Sequence, residues 1–142
     1  MSHPGDTVHS MDFIATRIIT DDVEALVSFY EKVTGVTADR IHPLFAEVRT
    51  ASGTLAISSS DTVRAMGEGA AEARANRSVI IDFRVDDVDA LYPTLVDKVD
   101  TFVNEPTTMP WGNRSLLFRD PDGNLVNFFT PVTDRAQERS AR

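Results

Sequence analysis

The feature that most constrains this chain is an internal repeat. Asp21-Asp22-Val23-Glu24-Ala25-Leu26 returns 65 residues later as Asp86-Asp87-Val88-Asp89-Ala90-Leu91, and two units of that spacing fill most of the 142 residues. A scheme that folds one half must therefore serve for the other. Ahead of each copy runs an alternating apolar segment, Phe13 to Thr20 and Val79 to Val85, whose period of two predicts a strand. Past each copy the period lengthens. Val23, Leu26, Val27, Tyr30 and Val33 fall at helical spacing, with Asp21 or Asp22 available as N-cap and Gly35 where a C-terminal cap belongs. In the second half Val88, Leu91, Tyr92, Leu95 and Val99 form the stripe. Pro93 lies inside it and removes a backbone donor, so that helix is expected to be shortened or bent.

Short apolar runs broken by turn residues follow each helix. Leu44 to Thr50 and Thr54 to Ser58 flank Ser52-Gly53; Ser115 to Arg119 and Asn124 to Thr130 flank Asp120-Pro121-Asp122-Gly123. In the second of these turns proline fixes one dihedral and glycine supplies a positive φ, a hairpin signal with a mechanism. Each half is thus strand, helix, then two or three strands. The expected organisation is one domain over 12–131, made of modules at about 12–58 and 78–131. The connection 59–77 is rich in Ser, Ala, Gly and charge and has room for a short helix. Residues 1–11 are expected as a tail, and 132–142 as a polar tail, frayed from Thr133 to Arg142.

Composition removes several chemistries. The formal charge is −8, which repels phosphate backbones, and no Lys/Arg cluster offsets it, so neither nucleic acid nor an anionic membrane is an expected partner. A neutral or cationic small molecule suits the charge better. There is no cysteine, hence no disulfide, thiolate ligand or cysteine nucleophile. No run of 18 apolar residues occurs and the first ten have no apolar core, which leads to cytoplasmic residence as the expectation. Adjacent carboxylates at Asp21-Asp22 and Asp86-Asp87 sit at helix starts, where capping and the helix dipole account for them.

Two tandem βαβββ units, the Asp21-to-Tyr30 helix start and the segment from Pro110 to Asn124 (PWGNRSLLFRDPDGN) together resemble the vicinal oxygen chelate superfamily, the group of glyoxalases, bleomycin resistance proteins and extradiol dioxygenases. The resemblance spans about residues 12–131. It implies an α+β fold in which each module curls its sheet into a cup around a ligand cavity, and many members pair as homodimers. It also implies four metal-ligating positions in enzyme members, which fall here at Ala15, Ile80, Asn127 and Ala56, or Ile57 if the register slips by one. Of these only Asn127 carries an oxygen. Zinc, nickel, iron and manganese need imidazole, carboxylate or thiolate donors, so no metal and no other cofactor is expected. The three histidines, His3, His9 and His42, do not repair the set, because the first two fall in the tail.

Strand alternation sorts the side chains by face. Ile14, Thr16 and Ile18 are expected toward the helices, leaving Ala15, Arg17 and Ile19 toward the cup. In the equivalent strand Val79, Ile81, Phe83 and Val85 form the core face, and Ile80, Asp82 and Arg84 point into the cup. The same parity turns Phe45, Glu47 and Arg49 inward, along with Leu117, Asn127 and Phe129. Arg17 and Asp82 are repeat-equivalent and are expected to approach one another, either as a salt bridge tying the halves together or as ligand contacts. In the second reading Asp82 or Glu47 receives a cationic group, and Arg17 or Arg84 a carboxylate or carbonyl. Trp111, the only tryptophan, either stacks on a planar ligand, as an aromatic near this part of the fold can in antibiotic-binding relatives, or covers the cup edge or a dimer contact. His42 reads as a loop or surface histidine rather than a catalytic base, Arg114 as a brace for the Trp111 loop, and Met66 and Met109 as packing.

The candidate ligand-binding set is therefore Arg17, Phe45, Glu47, Asp82, Arg84, Trp111, Asn127 and Phe129, with no catalytic residue assigned. Three functions compete. The first is a dimeric, metal-free binder that sequesters an antibiotic-like small molecule. The second is an enzyme of the same superfamily: a lyase or dioxygenase with a metal site elsewhere, or an isomerase using Asp82 or Glu47 as base. The third is a structural or regulatory protein whose cup is filled by its own side chains.

Overall fold

The computed structural model describes residues 10–141. Its first half runs β1 (Ala15–Thr20), α1 (Val23–Thr34), β2 (Asp39–His42), β3 (Phe45–Arg49) and β4 (Thr54–Ser59). A 3₁₀ turn at Ser60–Thr62 and the short α2 (Val63–Met66) open the connection, where a helix had room. The second half repeats the order as β5 (Ile80–Arg84), α3 (Val88–Leu95), β6 (Thr107–Thr108), β7 (Asn113–Arg119) and β8 (Leu125–Pro131). Each half builds its own open four-stranded mixed sheet, β1-β4-β3-β2 and β5-β8-β7-β6, with the first and last strands of each half parallel. This is the α+β arrangement of two βαβββ modules. The short β2 and β6 have no period strong enough to be named from sequence.

Capping places both helices as expected. The Asp22 carboxylate accepts from the Ala25 amide at 3.1 Å and that of Asp87 from Ala90 at 3.2 Å, while Gly35 closes α1 at φ 73°. The Pro93 expectation holds: α3 has 8 residues against 12 in α1. Glycine also matters at 112, where φ is 93° and an added Cβ would collide with the Thr133 side chain.

One core serves both halves. From α1, Leu26, Val27, Phe29, Tyr30 and Val33 are buried together with Val48, Leu55 and Ile57 of the first sheet and Leu116, Phe118, Val126 and Phe128 of the second. Each such aliphatic or aromatic side chain stabilises by roughly 1.5–3 kcal/mol relative to exposure. Phe29 meets Phe118 at 6.2 Å between centroids and Tyr30 meets Phe83 at 6.3 Å, so α1 bridges the two modules. The bridge ends in a polar lock. Tyr30 Oη donates to Asp120 Oδ2 at 2.7 Å, Asn124 Nδ2 donates to the same oxygen at 2.8 Å, and Oδ1 accepts the amides of Asp122 and Asn124 at 2.9 Å each. Four donors satisfy a carboxylate that is only 5% exposed. Burial, and then the Asp120 charge, push the Tyr30 hydroxyl well above its ordinary pKa of 10.0.

Three expectations about chain segments change. β1 begins at Ala15 rather than Phe13, leaving Phe13 and Ile14 exposed, so Ile14 does not face the helices. Val79 likewise precedes β5 and is half exposed, where a core position was expected. The residues expected to fray after Thr133 form a helix, α4 (Asp134–Ser140), whose N-cap Thr133 accepts from the Ala136 amide at 3.2 Å. Of the expected tail 1–11, residues 1–9 lie outside the described residues.

Candidate functional site

The register fixes which side chains share the face turned away from the core. In the first sheet Thr16, Leu55 and Val48 form one core-facing row and Ile18, Ile57 and Ala46 another. The alternating rows are Arg17, Ala56, Glu47 and Asp39, then Ile19, Ser58, Phe45 and His42. Ala56 therefore faces the cup and Ile57, wholly buried, faces the core. In the second sheet the cup-facing rows are Asp82, Asn127 and Leu117, and Arg84, Phe129 and Ser115. Seven of the eight candidate residues thus lie on the predicted faces.

They do not all meet. In the first cup the Arg17 guanidinium lies 5.6 Å from the Phe45 ring centroid and Nη1 points at Met66 Sδ, 3.7 Å away, so Met66 caps the arginine rather than packing in the core. Glu47 is held by Arg49, whose Nε donates at 2.7 Å. Ala56, flanked by Arg17 and Glu47, is 2% exposed, so the floor of this cup is filled by the chain's own side chains. The expected approach of Arg17 to Asp82 is not seen: no ion pair joins them among the described residues, and Asp82 Oδ1 instead accepts from Asn127 Nδ2 at 3.0 Å. The reason is topological. β1 and β5 are outer strands of separate sheets, and equivalence in the repeat does not bring them into contact.

The open space lies at the seam. A cavity of about 700 Å³ runs between the first module's Phe13, Ile14 and Ser52–Thr54 turn and the second module's Ile80, Asp82, Arg84 and Phe129. That volume suits a small organic ligand. Three of the candidate residues line it: Asp82, Arg84 and Phe129. Arg17, Phe45, Glu47 and Asn127 do not, and Trp111 stands 59% exposed in the turn before β7, outside the lining. Sequence reasoning missed Phe13 and the Ser52–Thr54 turn as walls. The available signal was a large apolar residue just ahead of the first strand.

Over the second cup lies α4. Phe83 is packed in the core, so its neighbour Arg84 projects to the other face, and there Arg84 Nη1 donates to the Ser140 carbonyl at 2.7 Å and to Ser140 Oγ at 2.8 Å. Arg139 donates to the Trp111 carbonyl, tying the end of α4 to the tryptophan loop. Arg114, expected to brace that loop, instead joins β7 to α3: its Nε donates to Asp89 Oδ2 at 2.6 Å, which holds the Asp89 carboxyl below its ordinary pKa of 3.8. His42 lies at the surface as one expectation had it, but it ends strand β2 rather than sitting in a loop, its Nδ1 accepting the Leu44 amide at 3.1 Å.

The positions that the resemblance implies for metal ligands offer few donors. Asn127 Oδ1 is buried with no hydrogen-bond partner, the kind of orphaned oxygen that could face a cation. The positions that should complete the set are Ala15, Ala56 and Ile80, and the described residues contain no cluster of three His, Cys, Asp or Glu side chains able to hold a metal. One amide oxygen among hydrocarbon side chains does not fit a transition metal.

The family described as Glyoxalase/Bleomycin resistance protein/Dioxygenase superfamily matches residues 10–128. The chain belongs to that superfamily. Its similarity to curated members includes the uncharacterized protein YraH of Bacillus subtilis (strain 168), 26% identical over 125 residues, which cover 84% of this chain and 98% of YraH. Among solved structures, a glyoxalase/bleomycin resistance protein/dioxygenase from Nocardioides superposes with a TM-score of 0.72 at 25% identity, over 90% of this chain and 88% of that one. A superfamily enzyme from Burkholderia phytofirmans PsJN gives a TM-score of 0.73 at 19% identity, over 83% and 97% of the two chains, and shares the fold.

Proposed function

We propose that this superfamily member is a cytoplasmic binding protein that sequesters a small cationic or aromatic, antibiotic-like molecule without a metal, and that it works as a homodimer. The single observation carrying the reading is the pairing of a 700 Å³ cavity, lined by Asp82, Arg84 and Phe129, with metal-ligand positions that lack donors. A cavity of this size supplies apolar contact and two charged groups, which is enough to bind and orient a ligand. The family description, which includes bleomycin resistance proteins, favours sequestration as the use of such a cavity. No described helix is long and apolar enough to cross a membrane.

Pairing is supported by the edges. β1 and β5 are both terminal strands, and the exposed apolar residues Phe13, Ile14, Val79 and Ile80 at their ends, which also line the cavity, would bring a second copy up to its rim. Unpaired strand edges flanked by apolar side chains are surfaces that a second copy would cover. Light scattering on the eluting protein is expected to give twice the 15.6 kDa chain mass, and Phe13→Glu to shift it toward one chain. Binding is tested with a panel of cationic glycopeptides and planar antibiotics in the presence of a chelator, read by thermal shift and tryptophan fluorescence. At least one compound is expected to raise the melting temperature; silence across the panel would contradict the reading.

A further inference from the structure

Four arginines of this acidic surface meet carboxylates: Arg40 pairs with Glu24 and Glu31, Arg49 with Glu47, Arg74 with Asp122 and Arg114 with Asp89. Arg84 lines the cavity and does otherwise. Its guanidinium is held by two neutral oxygens of Ser140, and among the described residues no ion pair links it to Asp82, two positions back on the same face. Asp82, for its part, spends Oδ1 on Asn127 and is otherwise exposed. Two opposite charges therefore face one cavity, each engaged by a neutral group. Two residues of strand rise separate their Cα atoms by about 6.6 Å.

We propose that the cavity takes a zwitterion, with an N–H-bearing cation on Asp82 and a carboxylate on Arg84, and that the carboxylate takes Arg84 from Ser140 and so loosens α4. This rests on the reading that the cavity binds a small molecule. The exchange is favourable because a guanidinium–carboxylate contact is charge-assisted at both ends and stronger than one to a neutral oxygen. Phe129, in register with Arg84, offers an apolar wall for a short rigid body joining the two charges. The helix to be released is lightly held: Ala136 is the only fully buried residue of α4, and a segment burying so little opens at low cost. Its end is bonded to the Trp111 carbonyl, so the sole tryptophan lies where release can be seen.

The test compares 4-(aminomethyl)benzoate with benzylamine and benzoate by calorimetry, and follows Trp111 emission and amide exchange in α4. The doubly charged probe is expected to bind at least tenfold more tightly than either singly charged one. Both carboxylate probes should speed exchange in α4, and benzylamine should leave it unchanged. Arg84→Gln should reduce the zwitterion to the affinity of benzylamine. Ser140→Ala, which leaves Arg84 intact and weakens its hold on α4, should raise affinity for the two carboxylate probes a fewfold and for benzylamine not at all. Equal binding of benzylamine and the zwitterion would overturn the proposal while leaving the cavity reading standing. Binding of none of the three would overturn both.

Discussion

The two modules began from one template and now carry different burdens. In the first, α1 runs 12 residues, ends in a glycine cap and sends Phe29 and Tyr30 into the other half; in the second, α3 is 8 residues long and only Val88 and Leu95 are fully buried. The cups differ in the opposite sense. In the first, Arg17 is engaged by both Phe45 and Met66, while in the second Asp82 and Arg84 line the cavity. The first module's helix is the more deeply buried of the two, while the charged residues that line the cavity and the unsatisfied Asn127 Oδ1 belong to the second module.

The largest test of that division uses the repeat itself. Leu26 is 1% exposed and its repeat equivalent Leu91 only partly buried. Leu26→Ala is expected to cost about 2–5 kcal/mol and Leu91→Ala about half as much, by urea unfolding. Equal costs would break the comparison. Next comes the lock between the halves: Tyr30→Phe leaves Asp120 short of one donor and is expected to cost about 1–3 kcal/mol in the same assay.

A smaller effect appears only with pH. Arg40 donates to Glu24 and Glu31 and joins β2 to α1, and with the Ala38 amide it draws the Glu31 carboxyl from 4.5 to about 2. A carboxyl whose folded pKa is depressed stabilises above its unfolded value and ceases to as pH falls through the folded one. The stability difference between the native chain and Arg40→Ala is therefore expected to be constant above about pH 5 and to shrink between about 4.5 and 2. A difference that grows on acidification would contradict the assignment. Smallest is Pro93→Ala, which restores a donor to α3 and is expected to slow amide exchange there.

The fold was readable in the sequence because the repeat, two Asp caps and the Pro-Asp-Gly turn each had a local mechanism. Face assignments followed from strand parity and survived wherever the strand did. The site was half readable. Asp82, Arg84 and Phe129 could be aimed at a cavity, yet its other wall is formed where Phe13, Ile14 and the Ser52–Thr54 turn come near β5, and no local pattern encodes that meeting. Helix α4 was missed because it has no apolar stripe. With Ala136 alone buried, its only sequence signals were Thr133 as a cap and Asp134 in the first turn. Arg17 and Asp82 illustrate the limit of repeat arithmetic, since equivalent positions in two sheets share an environment without sharing a neighbour.

The proposed function requires a binding cavity at which the chain supplies no metal-ligand set. Elemental analysis of protein purified without added metal tests it most directly. Nickel, zinc, iron and manganese are each expected far below one atom per chain, in protein that still binds its ligand in chelator. One equivalent of any of them, held through dialysis, would contradict it.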